Sequence, residues 1–168
     1  MKTFDYNGSD FWSVDAVLER CESYSKHFKV SSPFDIQPFI RTDGEIRRIY
    51  PVMEKVIEGI EKDDSACIEI GIEFIEESRS FPFGKILKYN TARALCRVST
   101  PLSEPQKERI RKRVAEMLCT DYLPREFRQY AKLVRQIGLG NWESKIEREA
   151  NFNNRWVKHY FKIIKKSF

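Results

Sequence analysis

Long hydrophobic runs are missing. No stretch of the 168 residues reaches the roughly 18 consecutive apolar residues that a membrane-spanning helix needs. Glycine and proline are scarce, seven of each, which excludes collagen-like and Pro/Gly-rich low-complexity chains. The four cysteines, at 21, 67, 96 and 119, are widely spaced and form no C-x-x-C pair. They are expected to be free thiols in a reducing, cytoplasmic compartment and not a disulfide framework. The opening MKTFDYNGSDFW lacks the apolar stretch and small-residue cleavage site of a secretory signal, so no signal is expected there. Catalytic patterns are equally sparse. The two histidines, His27 and His159, stand in no recognised spacing with a carboxylate or cysteine. There is no G-x-S-x-G, P-loop, H-E-x-x-H or G-x-G-x-x-G. No cofactor or metal is expected, and an enzyme is not the favoured class.

What is present is charge, unevenly placed. The formal net charge is +5, yet residues 1–84 hold 10 Lys+Arg against 17 Asp+Glu, and residues 85–168 hold 20 against 8. Such asymmetry either directs a field at an anionic partner or is neutralised where the two halves meet.

Apolar residues recur at helical spacing from Gly44 onward. Ile46, Ile49, Tyr50, Met53, Val56, Ile57 and Ile60 predict a first helix, with a kink or late start at Pro51. Asp63, Asp64 and Ser65 are N-cap candidates for a second. In residues 66–77 a strand-like alternation (Ile68, Ile70, Ile72, Phe74) competes with a wide helical face, and the length and caps favour helix. A third helix carries Leu87, Thr91, Ala94, Leu95 and Val98 inward. Ser103 and Gln106 read as the capping box of a fourth, and Pro124 opens a fifth, closed by Gly138 and Gly140. Asn141 is expected to cap a sixth, and the last runs from Phe152 to Ile164. Residues 1–43 read as an irregular cap with one helix, Phe11 to Ser25. The whole of 1–168 is expected to be a single all-helical domain, with helical hairpins over 44–165.

The breaks near Gly44, Asp64, Gly84, Ser103, Pro124 and Asn141 fall about every 20 residues, or two helices per roughly 40. In this spacing, across about 44–165, the chain resembles the HEAT-type helical-repeat superfamily. The resemblance implies an all-α solenoid of stacked antiparallel hairpins. An irregular helical bundle is the alternative with nearly the same pattern.

The candidate site is cationic. Arg125, Arg128, Lys132 and Arg135 are spaced to share one helical face, opposite Phe127, Tyr130, Ala131 and Val134. Lys85 and Lys88 open the third helix, Arg93 and Arg97 form an i, i+4 pair on it, and Lys158 and Lys162 lie on the last. In a right-handed stack, alternate helices line the same surface, so these groups can join into one anion-binding track suited to a phosphate backbone. Tyr89, Trp142 and Phe83 are candidates for base stacking, although Trp142 and Trp156 fit the core at least as well. Glu69, Glu73, Glu76 and Glu77 form an acidic counterpart better suited to a basic surface than to metal. The favoured function is a non-catalytic binding module for nucleic acid or an acidic protein. A protein-interaction adaptor is the alternative. The resemblance adds a third, because some HEAT-like bacterial proteins are DNA-base glycosylases. No motif of theirs is matched here, and Asp121, alone among aspartates in the basic half, is the first acid to test.

Overall fold

The computed structural model describes residues 1–166. The chain runs β1 (Lys2–Asp5), a 3₁₀ turn (Asp10–Trp12), α1 (Val14–His27), β2 (Ile40–Asp43), β3 (Ile46–Ile49), α2 (Val52–Glu61), α3 (Ser65–Glu76), α4 (Gly84–Leu95), α5 (Glu104–Cys119), α6 (Phe127–Ile137), α7 (Trp142–Glu149) and α8 (Arg155–Lys165). The protein is mostly helical.

It is not wholly helical. A three-stranded sheet of order β1-β3-β2 occupies the amino-terminal end, with β1 parallel and β2 antiparallel to β3. Ile46 and Ile49 therefore belong to a strand and not to the first turns of α2. Two local forces separate them from the helix. Gly44 and Glu45 form a two-residue hairpin loop between the paired Asp43 and Ile46, Gly44 standing at φ +59°, where a β-carbon is disfavoured. Pro51 then keeps Tyr50 out of the α region. α2 starts only after Pro51, and its first amide, Val52 N, donates to Asn7 Oδ1 at 2.7 Å. Asn7 Nδ2 donates to Tyr50 O at 3.2 Å, so one side chain from beyond β1 ties the sheet to the helix.

The expected helix over 66–77 is present as α3, and its alternation has a physical origin. Ala66, Cys67, Ile68, Ile70, Gly71, Ile72, Phe74 and Ile75 are all buried, because α1, α2, α4 and α5 each pack against it. A helix covered on nearly every side shows no single polar face. Asp64 caps it, Oδ1 accepting from Cys67 N at 2.9 Å, while Oδ2 accepts from Phe34 N at 3.0 Å and pins the long connection after α1. The capping box is formed as the residues require, Ser103 Oγ accepting from Gln106 N and Gln106 Oε1 accepting from Ser103 N. Asn141 precedes α7, but its side chain makes no cap bond. That helix is held by Trp142 Nε1, which donates to Glu108 Oε1 at 2.6 Å.

The helices form two rows. α1, α3, α5 and α7 pack in succession, as do α2, α4, α6 and α8, and the rows meet through α2 with α3, α3 with α4, and α5 with α6. The even row thus presents the outer sides of α4 and α6 together. No helix of the described residues is long and apolar enough to cross a membrane.

Candidate functional site

The two rows treat their charges differently. In the odd row the acidic cluster of α3 meets cations of its neighbours. Glu73 accepts from Arg20 Nε at 3.0 Å and from the Tyr24 hydroxyl. Burial lifts the Glu73 carboxyl above its ordinary range against these two donors, and burial together with that bond pushes the Tyr24 phenol up to about 12. Glu69 and Glu76 are both bound by Arg109 of α5. Arg111 donates to the carbonyls of Gly138 and Ile137 at 2.7 and 2.8 Å, closing the carboxy-terminal end of α6. Lys165 bridges to Glu143 and Glu147 of α7 at 2.8 and 3.0 Å. Through Arg109, the basic half of the chain neutralises Glu69 and Glu76 of the acidic half.

In the even row Lys55 and Lys165 are paired, but eight further cations in or beside it are not. Lys85, Arg93, Arg97, Arg125, Arg128, Lys132, Lys158 and Lys162 are exposed. None of the eight has an ion-pair partner among the described residues. Long cations without carboxylates remain hydrated and available to an external anion.

Two of the ten expected binding groups are placed otherwise. Lys88 is only 7% exposed. Its ammonium donates to the carbonyls of Glu77 and Arg79, closing the chain after α3, and it lies 5.6 and 5.8 Å from the ring centres of Phe74 and Phe81. Burial, reinforced by the Arg113 charge, pulls its pKa below that of an ordinary lysine. It cannot meet a ligand at the surface. Arg135 is half-buried, and its Nε donates to Lys166 O at 3.1 Å. It ties α6 to the end of α8.

The remaining groups converge in part. Lys85, Ile86, Tyr89 and Asn90 of α4 face Arg125, Glu126 and Arg128 across a cleft of about 480 Å³. Near the other ends of these helices, Arg97 and Lys132 both lower the pKa of Cys96, whose thiol burial nevertheless pushes up to about 11. The cleft itself is lined by three cations, Lys85, Arg125 and Arg128, while Arg93 is exposed on α4. Lys158 and Lys162 do not extend the cleft. Tyr160 is the residue that packs α8 on Phe127 of α6, with ring centres 5.0 Å apart. At 3.6 residues per turn, Lys158 and Lys162 point roughly 160° away from it, toward the end of the row.

The aromatic candidates separate similarly. Tyr89 is half-buried in the cleft wall. Phe83 is exposed but lies against Tyr6, 5.6 Å between ring centres. Trp142 belongs to the odd row, and Trp156 is half exposed on α8, not in the core. Asp121 accepts from Asn151 Nδ2 at 3.2 Å and Asn154 Nδ2 at 3.5 Å. It links the turn after α5 to the start of α8 and is not among the residues lining the cleft of Lys85, Arg125 and Arg128.

Glu126 is the residue that pattern reading missed. It is 4% exposed, and its Oε2 is buried without a hydrogen-bond partner. The available signal was its register. It stands four and seven residues before Tyr130 and Leu133, on the apolar face of α6, where an unpaired carboxylate is costly.

Compared with known proteins, the chain matches no protein-family model, no curated protein and no solved structure. Its own geometry therefore carries the functional argument.

Proposed function

We propose that the protein is a non-catalytic helical binding module that holds nucleic acid along the groove between α4 and α6. Lys85, Arg93, Arg97, Arg125, Arg128 and Lys132 contact the phosphates. The supporting observation is a difference in ion pairing: Arg20, Arg109 and Arg111 of the odd row are bound by the chain's own carboxylates, whereas the cations flanking this groove are not. Exposed cations without carboxylate partners gathered beside one cleft favour an external polyanion over a merely solvated surface.

The two helix rows favour the stacked-hairpin reading, a HEAT-like solenoid in which alternate helices share a surface, over an irregular bundle. In such a stack the groove is continuous, and a polymer can lie along it. Asp121, tied by two asparagines away from the groove, gives little support to a glycosylase-type reaction.

Fluorescence anisotropy with labelled single-stranded and duplex oligonucleotides at low and moderate salt tests the proposal. Binding that weakens steeply with salt is expected. No binding at low salt, or binding to polyglutamate as tight as to an oligonucleotide of equal charge, would remove nucleic acid as the partner.

A further inference from the structure

We infer that the protein binds its nucleic acid single-stranded, stacking unpaired bases on a row of aromatic rings that runs from the amino-terminal sheet to the mouth of the α4–α6 cleft. This rests on the nucleic-acid reading above and names the form of the ligand. The row is built by strand register. Asp5 and Ile40 both pair with Ile49, and the pairing continues one step further. Tyr6 N donates to Ile49 O at 3.0 Å, and Tyr50 N donates to Phe39 O at 2.9 Å. Tyr6, Tyr50 and Phe39 thus stand side by side at one end of the three strands, where cross-strand neighbours meet. Ring centres are 6.0 Å apart from Tyr6 to Tyr50 and 5.4 Å apart from Tyr50 to Phe39. Phe83 continues the row, 5.6 Å from Tyr6. It directly precedes α4, whose first turn contributes Lys85 and Ile86 to the cleft. Three residues of chain span at most about 10 Å, so the row ends beside the cations.

Burial accounts for the middle of this row and not for its ends. Tyr6 and Tyr50 are half-buried, whereas Phe39 and Phe83 are each 58% exposed. Phe83 also holds a left-handed backbone, φ +57°, which disfavours a bulky side chain. Among the described residues, the other non-glycine positions with positive φ carry aspartate or lysine. The strain at Phe83 is not offset by burying its ring, and strained backbone concentrates where ligands are held. Apolar rings and cations side by side match an unpaired strand in both of its parts. The flat faces of its bases stack on aromatic rings whatever the base, and its phosphates meet Lys85, Arg125 and Arg128. A duplex offers the same phosphates but keeps its base faces stacked inside, so Phe39 and Phe83 have nothing to meet. An acidic peptide supplies charge without a series of flat faces.

The test compares ligands of equal charge. It uses labelled single strands of about ten nucleotides, within the site sizes of single-strand binders. One is of mixed sequence that does not fold on itself, and the other retains the sugar-phosphate chain but lacks every base. Wild-type protein is expected to bind the ordinary strand about 25-fold more tightly than the abasic one, two stacked bases each contributing about five-fold. Phe83→Ala and Phe39→Ala remove exposed rings and spare the core. Each is expected to weaken the ordinary strand about five-fold while leaving the abasic strand, and a duplex of the same sequence, unchanged. The strand comparison needs only the wild-type protein, so the inference stays open to refutation even if a variant fails to fold. Equal, salt-sensitive binding of ordinary and abasic strands overturns the stacking row and leaves the cationic groove standing. Full affinity for the ordinary strand in both folded variants also overturns it, as does a loss shared equally by all three ligands. Failure of the strands and the duplex alike to bind at low salt overturns the nucleic-acid reading as well.

Discussion

Removing Arg125, Arg128 and Lys132 together, as the triple alanine variant, is the most decisive perturbation of the groove. All three are exposed, Arg128 and Lys132 on α6 and Arg125 in the turn before it, and without ion-pair partners among the described residues, so their truncation costs little stability. Their effect should appear in the salt dependence. Six cations are proposed to contact phosphate, and each contributes roughly −0.7 to the slope of log K against log[salt] on a single strand, so the intact protein should show a slope of about −4. Between 50 and 200 mM salt that corresponds to a loss of about 300-fold, and in the triple variant, with a slope near −2, to about 20-fold. The matched control truncates Lys26 and Lys112, which are also exposed but lie on α1 and α5 of the odd row. Anisotropy titrations at four salt concentrations provide both slopes. If the control lowers the slope as much as the triple variant does, the charge acts diffusely and the groove has no special role. If neither changes it, phosphate contacts lie elsewhere.

Further outcomes follow from the packing. Lys88→Ala should destabilise the fold by about 2–4 kcal/mol, by emptying a buried site and leaving the Glu77 and Arg79 carbonyls without their donor. Its urea midpoint should fall while oligonucleotide affinity, measured where the variant is folded, stays unchanged. Gly59→Ala should cost about 1–3 kcal/mol, since an added β-carbon would run into Cys67 Sγ and stand 3.1 Å from a Phe34 ring carbon; thermal unfolding reads this directly. Glu77 is held down to about 2, chiefly by its bond to Arg79 with help from Trp12. Its folded value is below the unfolded one, so its contribution is complete above about pH 4.5 and is lost as pH falls toward 2. Urea midpoints of Glu77→Gln should accordingly decline less than wild type across that window. Glu73, whose folded value is raised, acts in the opposite sense: its burial destabilises increasingly as pH rises above the unfolded carboxylate range.

The long periodic segments were legible because their signals are local. Caps, glycine stops and apolar spacing of three and four placed the helices from α3 to α8, and the capping box at Ser103 and Gln106 formed from the two side chains named for it. Ile46–Ile49 misled because two isoleucines three apart satisfy a helical template, while the competing information lay in Gly44 and Pro51. Partners of a strand lie elsewhere in the chain, and β1 is more than 40 residues before β3. Asparagine 141 was named as a cap from its type alone, but its backbone takes an α conformation in which the side chain does not reach the helix amides.

The charges divide along the same line. Composition established that the carboxy-terminal half is strongly basic, and periodicity placed Arg128 and Lys132 on one exposed face of α6, because both depend only on residue type and helical geometry; Arg125, expected on the same face, lies in the turn before the helix. Which cations are neutralised depends on carboxylates brought near by packing. Arg109 and Lys85 are indistinguishable as letters, yet one lies against Glu69 and Glu76 and the other at the mouth of a cleft. Burial is likewise a property of neighbours: Lys88 and Glu126 owe their places inside the molecule to the contacts of α4, α5 and α6, and no single helix contains that information.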